Sequence, residues 1–183
     1  MKKFALLALA LCLSTVAMLP AQEPKFPAPQ KEHEWLKQFV GEWETSMEAI
    51  TGPGQPTMKC KGTIQSRALG GFWVVNEIKS EMAGQAMTGV QTMGYDSAGK
   101  KYIGTWVDSM TGHLWKYEGN LDKTGKILTL EANGPSFVEE GKTARFRDVY
   151  EFKSKDELLM KSEMQNEKGE WVTFATGNVK RTK

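Results

Sequence analysis

From residue 41 to the end of the chain, apolar and polar residues alternate with a period of two in ten runs: 42–50, 57–69, 72–82, 86–95, 101–109, 113–121, 127–132, 143–153, 157–165 and 170–181. Period-two alternation is the mark of a strand with two unlike faces. Short turn sequences separate the runs: Gly52-Pro53-Gly54, Gly70-Gly71, Ala83-Gly84, Asp96-Ser97-Ala98-Gly99, Thr111-Gly112, Asp122-Lys123-Thr124-Gly125 and Asn166-Glu167-Lys168-Gly169. Links this tight join antiparallel neighbours. Only 133–142, with Gly134-Pro135 inside it, is longer, and it has the length of a loop over one end of the sheet. Ahead of the first run, Trp35, Leu36 and Phe39 recur at helical spacing, which predicts a short helix over 32–39 ending by Gly41.

Ten hairpin-linked strands without intervening helices predict an all-β fold: a closed antiparallel up-and-down β-barrel of about ten strands, with a short N-terminal helix. Closure removes the exposed edges that an open sheet would offer to other chains. Glycines inside the runs, at Gly89, Gly94, Gly104, Gly119 and Gly177, suit the bends and close approaches of a small barrel. A sandwich is the second fold compatible with the pattern.

The N-terminus has a different pattern. Lys2 and Lys3 precede an apolar run from Phe4 to Leu19, followed by Pro20, Ala21 and Gln22, the order of a secretory signal peptide over 1–21. Small or short aliphatic residues at the −1 and −3 positions fit cleavage after Ala17 or after Ala21. A secreted or periplasmic destination follows as the expectation, without stable membrane insertion of the mature chain. Leu11 ahead of Cys12 argues against lipid attachment. Residues 22–30 hold Pro24, Pro27 and Pro29 and read as a proline-rich tether, which leaves 31–183 as the barrel domain.

Loss of the leader changes the charge and the cysteine chemistry. Of 24 basic residues Lys2 and Lys3 leave with it, so 22 remain against 22 acidic ones. A neutral surface of interspersed signs carries no footprint for nucleic acid. Cys60 is then the only cysteine, so an intramolecular disulfide is excluded; its alternating strand predicts a buried, inert thiol. Composition fixes no oligomeric state.

No phosphate-binding loop, nucleophile elbow, zinc-protease helix or paired-cysteine motif occurs, so no catalytic residue, metal ligand or cofactor is assigned. His33 and His113 are the only histidines, and both are expected at exposed positions, in the helix and beside the Thr111-Gly112 turn. The positive signal is for a pocket. Phe72 to Met82 and Tyr102 to Asp108 carry large or apolar residues on both faces, and eight methionines follow the leader. Aromatic and adaptable side chains with a few polar groups describe a small-molecule site inside a barrel, although methionine also fills ordinary cores. The residues assigned to a site for a small apolar ligand are Trp73, Asn76, Met82, Met87, Met93, Trp106, Asp108 and Trp115, with Arg145 and Arg147.

The two arginines depend on how one strand faces. Ala144, Phe146, Asp148, Tyr150 and Phe152 share one side of it, and Arg145, Arg147, Val149 and Glu151 the other. With the aromatic side inward, Asp148 is a buried carboxylate that needs a partner. With the other side inward, the arginines could grip a ligand carboxylate. The aromatic side makes the better core and is the preferred inward face.

Gly41-Glu42-Trp43, after a short helix and at the start of the first strand, resembles the Gly-x-Trp signature of the calycins, the lipocalin and fatty-acid-binding superfamily. That resemblance implies a terminal-strand arginine, here Arg181, packed across Trp43 to close the barrel. Leu69-Gly70-Gly71-Phe72-Trp73, Met93-Gly94-Tyr95-Asp96, Gly104-Thr105-Trp106-Val107-Asp108-Ser109 and Tyr150-Glu151-Phe152 resemble domain of unknown function family 1579, a family of exported bacterial proteins. It implies a single domain and an exported setting, and brings no activity. Three functions compete: a binding protein for a small apolar or amphipathic molecule, a haem-binding or isomerase-like barrel of the nitrobindin type with His113 on the iron, and an interaction module with a filled interior.

Overall fold

The computed structural model describes residues 26–50, 56–82 and 84–183. The leader with its cleavage positions, Cys12, the start of the proline-rich segment, the Gly52-Pro53-Gly54 turn, Ala83 and the side chain of Met82 lie outside the described residues.

Helix α1 spans Lys31–Leu36 and runs into a 3-10 turn at Lys37–Phe39. Ten strands follow: β1 Gly41–Ala49, β2 Met58–Leu69, β3 Trp73–Met82, β4 Gln85–Asp96, β5 Lys101–Asp108, β6 Trp115–Leu121, β7 Ile127–Pro135, β8 Thr143–Ser154, β9 Glu157–Gln165 and β10 Trp171–Arg181. Each pairs antiparallel with its neighbours in sequence and β1 also pairs with β10, so the sheet closes into an up-and-down barrel.

The main departure from the sequence pattern is β7, which runs through Gly134 to Pro135, three residues beyond the expected end. Asn133, Gly134 and Pro135 pair with Arg145, Ala144 and Thr143. Pro135 ends the ladder, where a missing N–H interrupts nothing, and the Trp115 ring lies against Gly134. The long connection therefore shortens to 136–142. Its Phe137 packs on Phe146 and Phe174, with ring centroids 4.9 and 5.3 Å apart.

The helix closes the barrel end where β1 begins. Leu36 and Phe39 are buried, and Phe39 meets Tyr150 and Phe152 edge to face, 5.6 and 5.0 Å between centroids. Trp35 Nε1 donates to the Gly125 carbonyl at 2.8 Å, which ties the helix to the β6–β7 turn. His33 is not exposed as its polarity suggests: only 4% of its surface is accessible. Its Nδ1 accepts from the Gln30 backbone N–H at 2.9 Å, so Nε2 carries the proton and donates to the Tyr95 carbonyl at 3.1 Å. A histidine with both nitrogens engaged can be buried without loss.

Arg181 seals the same end. Its guanidinium lies 4.0 Å from the centroid of Trp43, its register partner across the β1–β10 seam. Nη1, Nη2 and Nε donate to the carbonyls of Val40, Gln38 and Lys155 at 2.5, 2.8 and 3.1 Å. Gly41 has φ 139°, and a Cβ there would overlap Arg181 Nη1. The spacing of Gly41 and Trp43 thus has a physical meaning: one residue leaves room for the guanidinium and the other stacks on it.

A candidate ligand-binding lumen

Because side chains alternate along each strand, one face of every strand points into the barrel. On β3 that face is Val74, Asn76 and Ile78; on β5 it is Tyr102, Gly104, Trp106 and Asp108; on β8 it is Phe146, Asp148, Tyr150 and Phe152. These faces enclose a cavity of about 410 Å³. It runs from Phe39 and Trp43 near the helix to Met110, Thr111 and Phe137 at the other end.

Of the residues assigned from sequence, Asn76, Met87, Trp106, Asp108 and Trp115 border this lumen. Trp73, Arg145 and Arg147 do not, and leave the candidate site. Trp73 is on the outer face, 38% exposed, with its ring flat against Gly94, its partner on β4. Arg145 pairs outside the barrel with Glu131 at 2.5 Å, and Arg147 pairs with Glu163 while lying 4.3 Å from the Trp171 ring centroid. Met93 is fully buried but packs on the helix side of the cavity, away from its lining.

Two of the three lumenal tryptophans rest on glycine. Trp106 lies over Gly89 on β4 and Trp115 over Gly134 on β7; a Cβ at either glycine would overlap the indole. Bare backbone under a flat ring lets the indole line the wall without filling the interior. Trp106 is further fixed by Nε1 donating to Asp108 Oδ2 at 2.8 Å. Asp108 Oδ1 accepts the backbone N–H groups of Met110 and Thr111 at 2.8 and 2.9 Å, so this carboxylate holds the turn after β5.

A polar strap crosses the interior. Ser66 Oγ donates to Asn76 Oδ1 at 2.6 Å, Asn76 Nδ2 to Gln91 Oε1 at 2.9 Å, and Gln91 Nε2 to the Tyr150 hydroxyl at 2.7 Å. It connects β2, β3 and β4 to β8 on the far wall, and every buried amide in it is satisfied. In the donor-to-acceptor sense it ends on Tyr150, whose own O–H is its free end. Beside it, Asp148 Oδ1 accepts from Ser162 Oγ at 2.5 Å and Oδ2 from the Tyr117 hydroxyl at 2.7 Å. These are the partners that a carboxylate on the inward face of β8 requires. Burial raises the Asp148 pKa, against the lowering effect of the Ser162 and Tyr117 hydrogen bonds. Burial and the Asp148 charge likewise push the Tyr117 and Tyr150 hydroxyls upward.

Sequence reasoning assigned Asn76 to the site but not its strap partners Ser66, Gln91 and Tyr150, nor Phe174. Gln91 carried a signal: it lies between Met87 and Met93 on one face of β4, a polar residue on an apolar side. Phe174 carried none, because a bulge between Thr173 and Ala175 adds one residue to β10 and brings both Phe174 and Ala175 to the lumen. Cys60 is buried and borders the lumen. Neither histidine does; His113 stacks edge-on against Trp115, 4.8 Å between centroids, with Nε2 3.4 Å from the Asn133 carbonyl. Among the described residues no group of three His, Cys, Asp or Glu could hold a metal ion, and no helix is long and apolar enough to cross a membrane.

A family model described as protein of unknown function (DUF1579) matches residues 28–181. No curated protein matches the sequence. Among solved structures, Rv2717c from M. tuberculosis is similar with a TM-score of 0.60 at 10% identity, over 85% of this chain and all of that one. The S-type phycobiliprotein lyase CPES from Guillardia theta is similar with a TM-score of 0.53 at 12% identity, over 86% of this chain and 99% of that one. At such identities the likeness is one of fold.

Proposed function

The chain belongs to the DUF1579 family, and from that premise and the lumen we propose that it is an exported binding protein which carries a small apolar or amphipathic molecule inside its barrel. The observation that carries this reading is the cavity itself. At about 410 Å³ it has the size of a small-molecule site, and its wall is aromatic and aliphatic with a few convergent polar groups. A module acting only through its surface has no use for such a space, since unfilled volume in a core costs stability. The strap and the Asp148 cluster supply orientation, and the lumenal Met47, Met87, Met110 and Met160 supply adaptable contact.

The haem alternative places His113 on the iron at a barrel end; His113 does not border the lumen, and its ring lies edge-on against Trp115 with Nε2 3.4 Å from the Asn133 carbonyl, so no observation favours that reading over carriage. Export rests on the leader pattern of 1–21.

Native mass spectrometry with an absorption spectrum, on protein recovered without detergent from a bacterial periplasm, tests both parts. A stoichiometric extra mass of a few hundred daltons supports carriage, and a polypeptide mass beginning after Ala17 or Ala21 supports export. Bare full-length polypeptide retained in the cytoplasm, with no quenching of tryptophan emission by any apolar probe, would overturn the reading.

A further inference from the structure

The lumen has a charge character that the carrier reading does not use. Among the described residues its lining contains no lysine, arginine or histidine, yet it contains two carboxylates, Asp108 and Asp148. Asp108 is spent on Trp106 and on two backbone N–H groups of its turn. Asp148 receives only two neutral hydroxyls, from Tyr117 and Ser162, and no cationic side chain pairs with it.

The strand itself separates the charges. Arg145, Arg147 and Asp148 are within four residues on β8, but alternation sends both arginines outward, where they meet Glu131 and Glu163. Glu163 also takes Lys161 at 2.9 Å. These two exterior acids thus have their bases, and neither lumenal aspartate has one. Asp148 is half-buried in the lumen wall, hydrogen-bonded only to neutral hydroxyls, and a carboxylate so placed without a counter-charge is costly unless something brings one to it. Around it stand the rings of Trp115, Tyr117, Phe146 and Tyr150, whose π faces attract cations and not anions.

Resting on the carrier reading, we propose that the ligand is an amphipathic molecule whose polar end is a cationic nitrogen, an amine or amidine, seated against Asp148 with its apolar body among the lumenal rings. A fatty acid or other carboxylate is disfavoured by the same geometry, because its anion would meet no lysine, arginine or histidine among the described lining residues and would stand against the Asp148 carboxylate. The Tyr150 hydroxyl, at the free end of the strap, is the donor available to a second polar atom of the ligand. Burial raises the pKa of Asp148 and so works against its ionised form; a bound cation works the other way.

Three naphthalenes of nearly equal size test this: 1-(aminomethyl)naphthalene as the ammonium, 1-naphthylmethanol as the neutral form and 1-naphthylacetate as the anion. Each is titrated into the purified protein and followed by tryptophan quenching. The ammonium is expected to bind about tenfold tighter than the alcohol, and the carboxylate weakest, the scale of one close charge pair. Asp148→Asn is expected to remove the ammonium preference and leave the alcohol within about twofold of its original Kd. Tyr117→Phe, which keeps the charge and removes one hydroxyl, is expected to retain the preference. Equal binding of all three probes, tighter binding of the carboxylate, or a preference surviving in folded Asp148→Asn overturns the proposal and leaves the carrier reading standing. Failure of all three to bind overturns both. The wild-type series decides on its own if the aspartate variant does not fold.

Discussion

Arg181→Ala should unlock the barrel seam, and the size of the effect can be worked from the contacts. Three guanidinium N–H groups reach backbone carbonyls of the chain leading into β1 and of the β8–β9 turn. A partly exposed hydrogen bond from a charged donor contributes about 1 kcal/mol, at the low end of its class. Stacking on Trp43 at 4.0 Å adds about 1 kcal/mol. The ion pair with Asp156 at 3.3 Å adds little, since that carboxylate is 53% exposed. Loss of all of these sums to about 4 kcal/mol, which in a domain of this length lowers Tm by about 10 °C.

Arg181→Lys separates geometry from charge. Lysine keeps the positive charge beside Asp156, but one ammonium cannot reach three carbonyls in a fork and also lie flat on an indole. It should therefore recover no more than about a quarter of the lost stability. Urea unfolding followed by tryptophan emission and far-UV circular dichroism, at low and high salt, gives both numbers. An Ala variant within about 1 kcal/mol of wild type, or a Lys variant that restores full stability, would refute the reasoning. A loss that disappears in high salt would mean that the Asp156 pair, not the fork, holds the seam.

Asp148→Asn bears on pH dependence. Because burial holds the folded pKa of Asp148 above its unfolded value, the unfolded chain ionises first as pH rises, and wild type loses stability from about pH 4 upward until the folded group has titrated. Tyr117 and Tyr150 are pushed upward and stay protonated across that window. The Asn variant should gain on wild type between pH 4 and neutrality in urea titrations; wild type gaining instead contradicts the burial argument. Gly89→Ala should displace the Trp106 indole and break its bond to Asp108, seen as a shifted emission maximum and weaker probe binding, and an unchanged spectrum would show that the ring does not depend on the glycine. Gly119→Ala puts a Cβ into the backbone carbonyl of Thr129, which cannot rotate away, and should cost about 3 kcal/mol in thermal melts. Gly112→Ala, with nothing within 4 Å, is its neutral control.

The strands were legible because nearly every one has a turn sequence at each end and one consistently apolar face; the ten observed spans differ from the alternation pattern by at most three residues. Which face turns inward was legible on β8, where Phe146, Tyr150 and Phe152 outweigh their neighbours. On β3 it was not. Trp73 and Val75 look as apolar as Val74 and Ile78, and the deciding residue is Asn76, which turns inward because Ser66 and Gln91 satisfy it there. Pairing carries the missing information: the tight turn after Met82 sets Met82 opposite Gln85 and therefore Trp73 opposite Gly94, a bare site for an outward indole. His33 was misread for a related reason. Its burial depends on the Tyr95 carbonyl, a partner 62 residues away that local polarity does not reveal.

The two ends of the barrel divide structure from chemistry along a boundary set by the strap. On the helix side, Leu36, Val74, Met93, Leu128 and Phe152 are packed to near-zero exposure, and the polar contacts are backbone carbonyls held by Trp35, His33 and Arg181. On the other side the wall is made of rings resting on glycine, sulfur atoms and two aspartates, of which Asp148 is held only by neutral hydroxyls. A chain selected only for stability would fill that second half, because a cavity of this size forfeits the contacts its lining would otherwise make. The loss is tolerable because the helix and the arginine lock act at the opposite end and the β1–β10 seam is paired along its whole length. Variation in the lumen can then change what is bound without opening the seam, whereas a change at Arg181 reaches the lumen only by loosening the whole barrel.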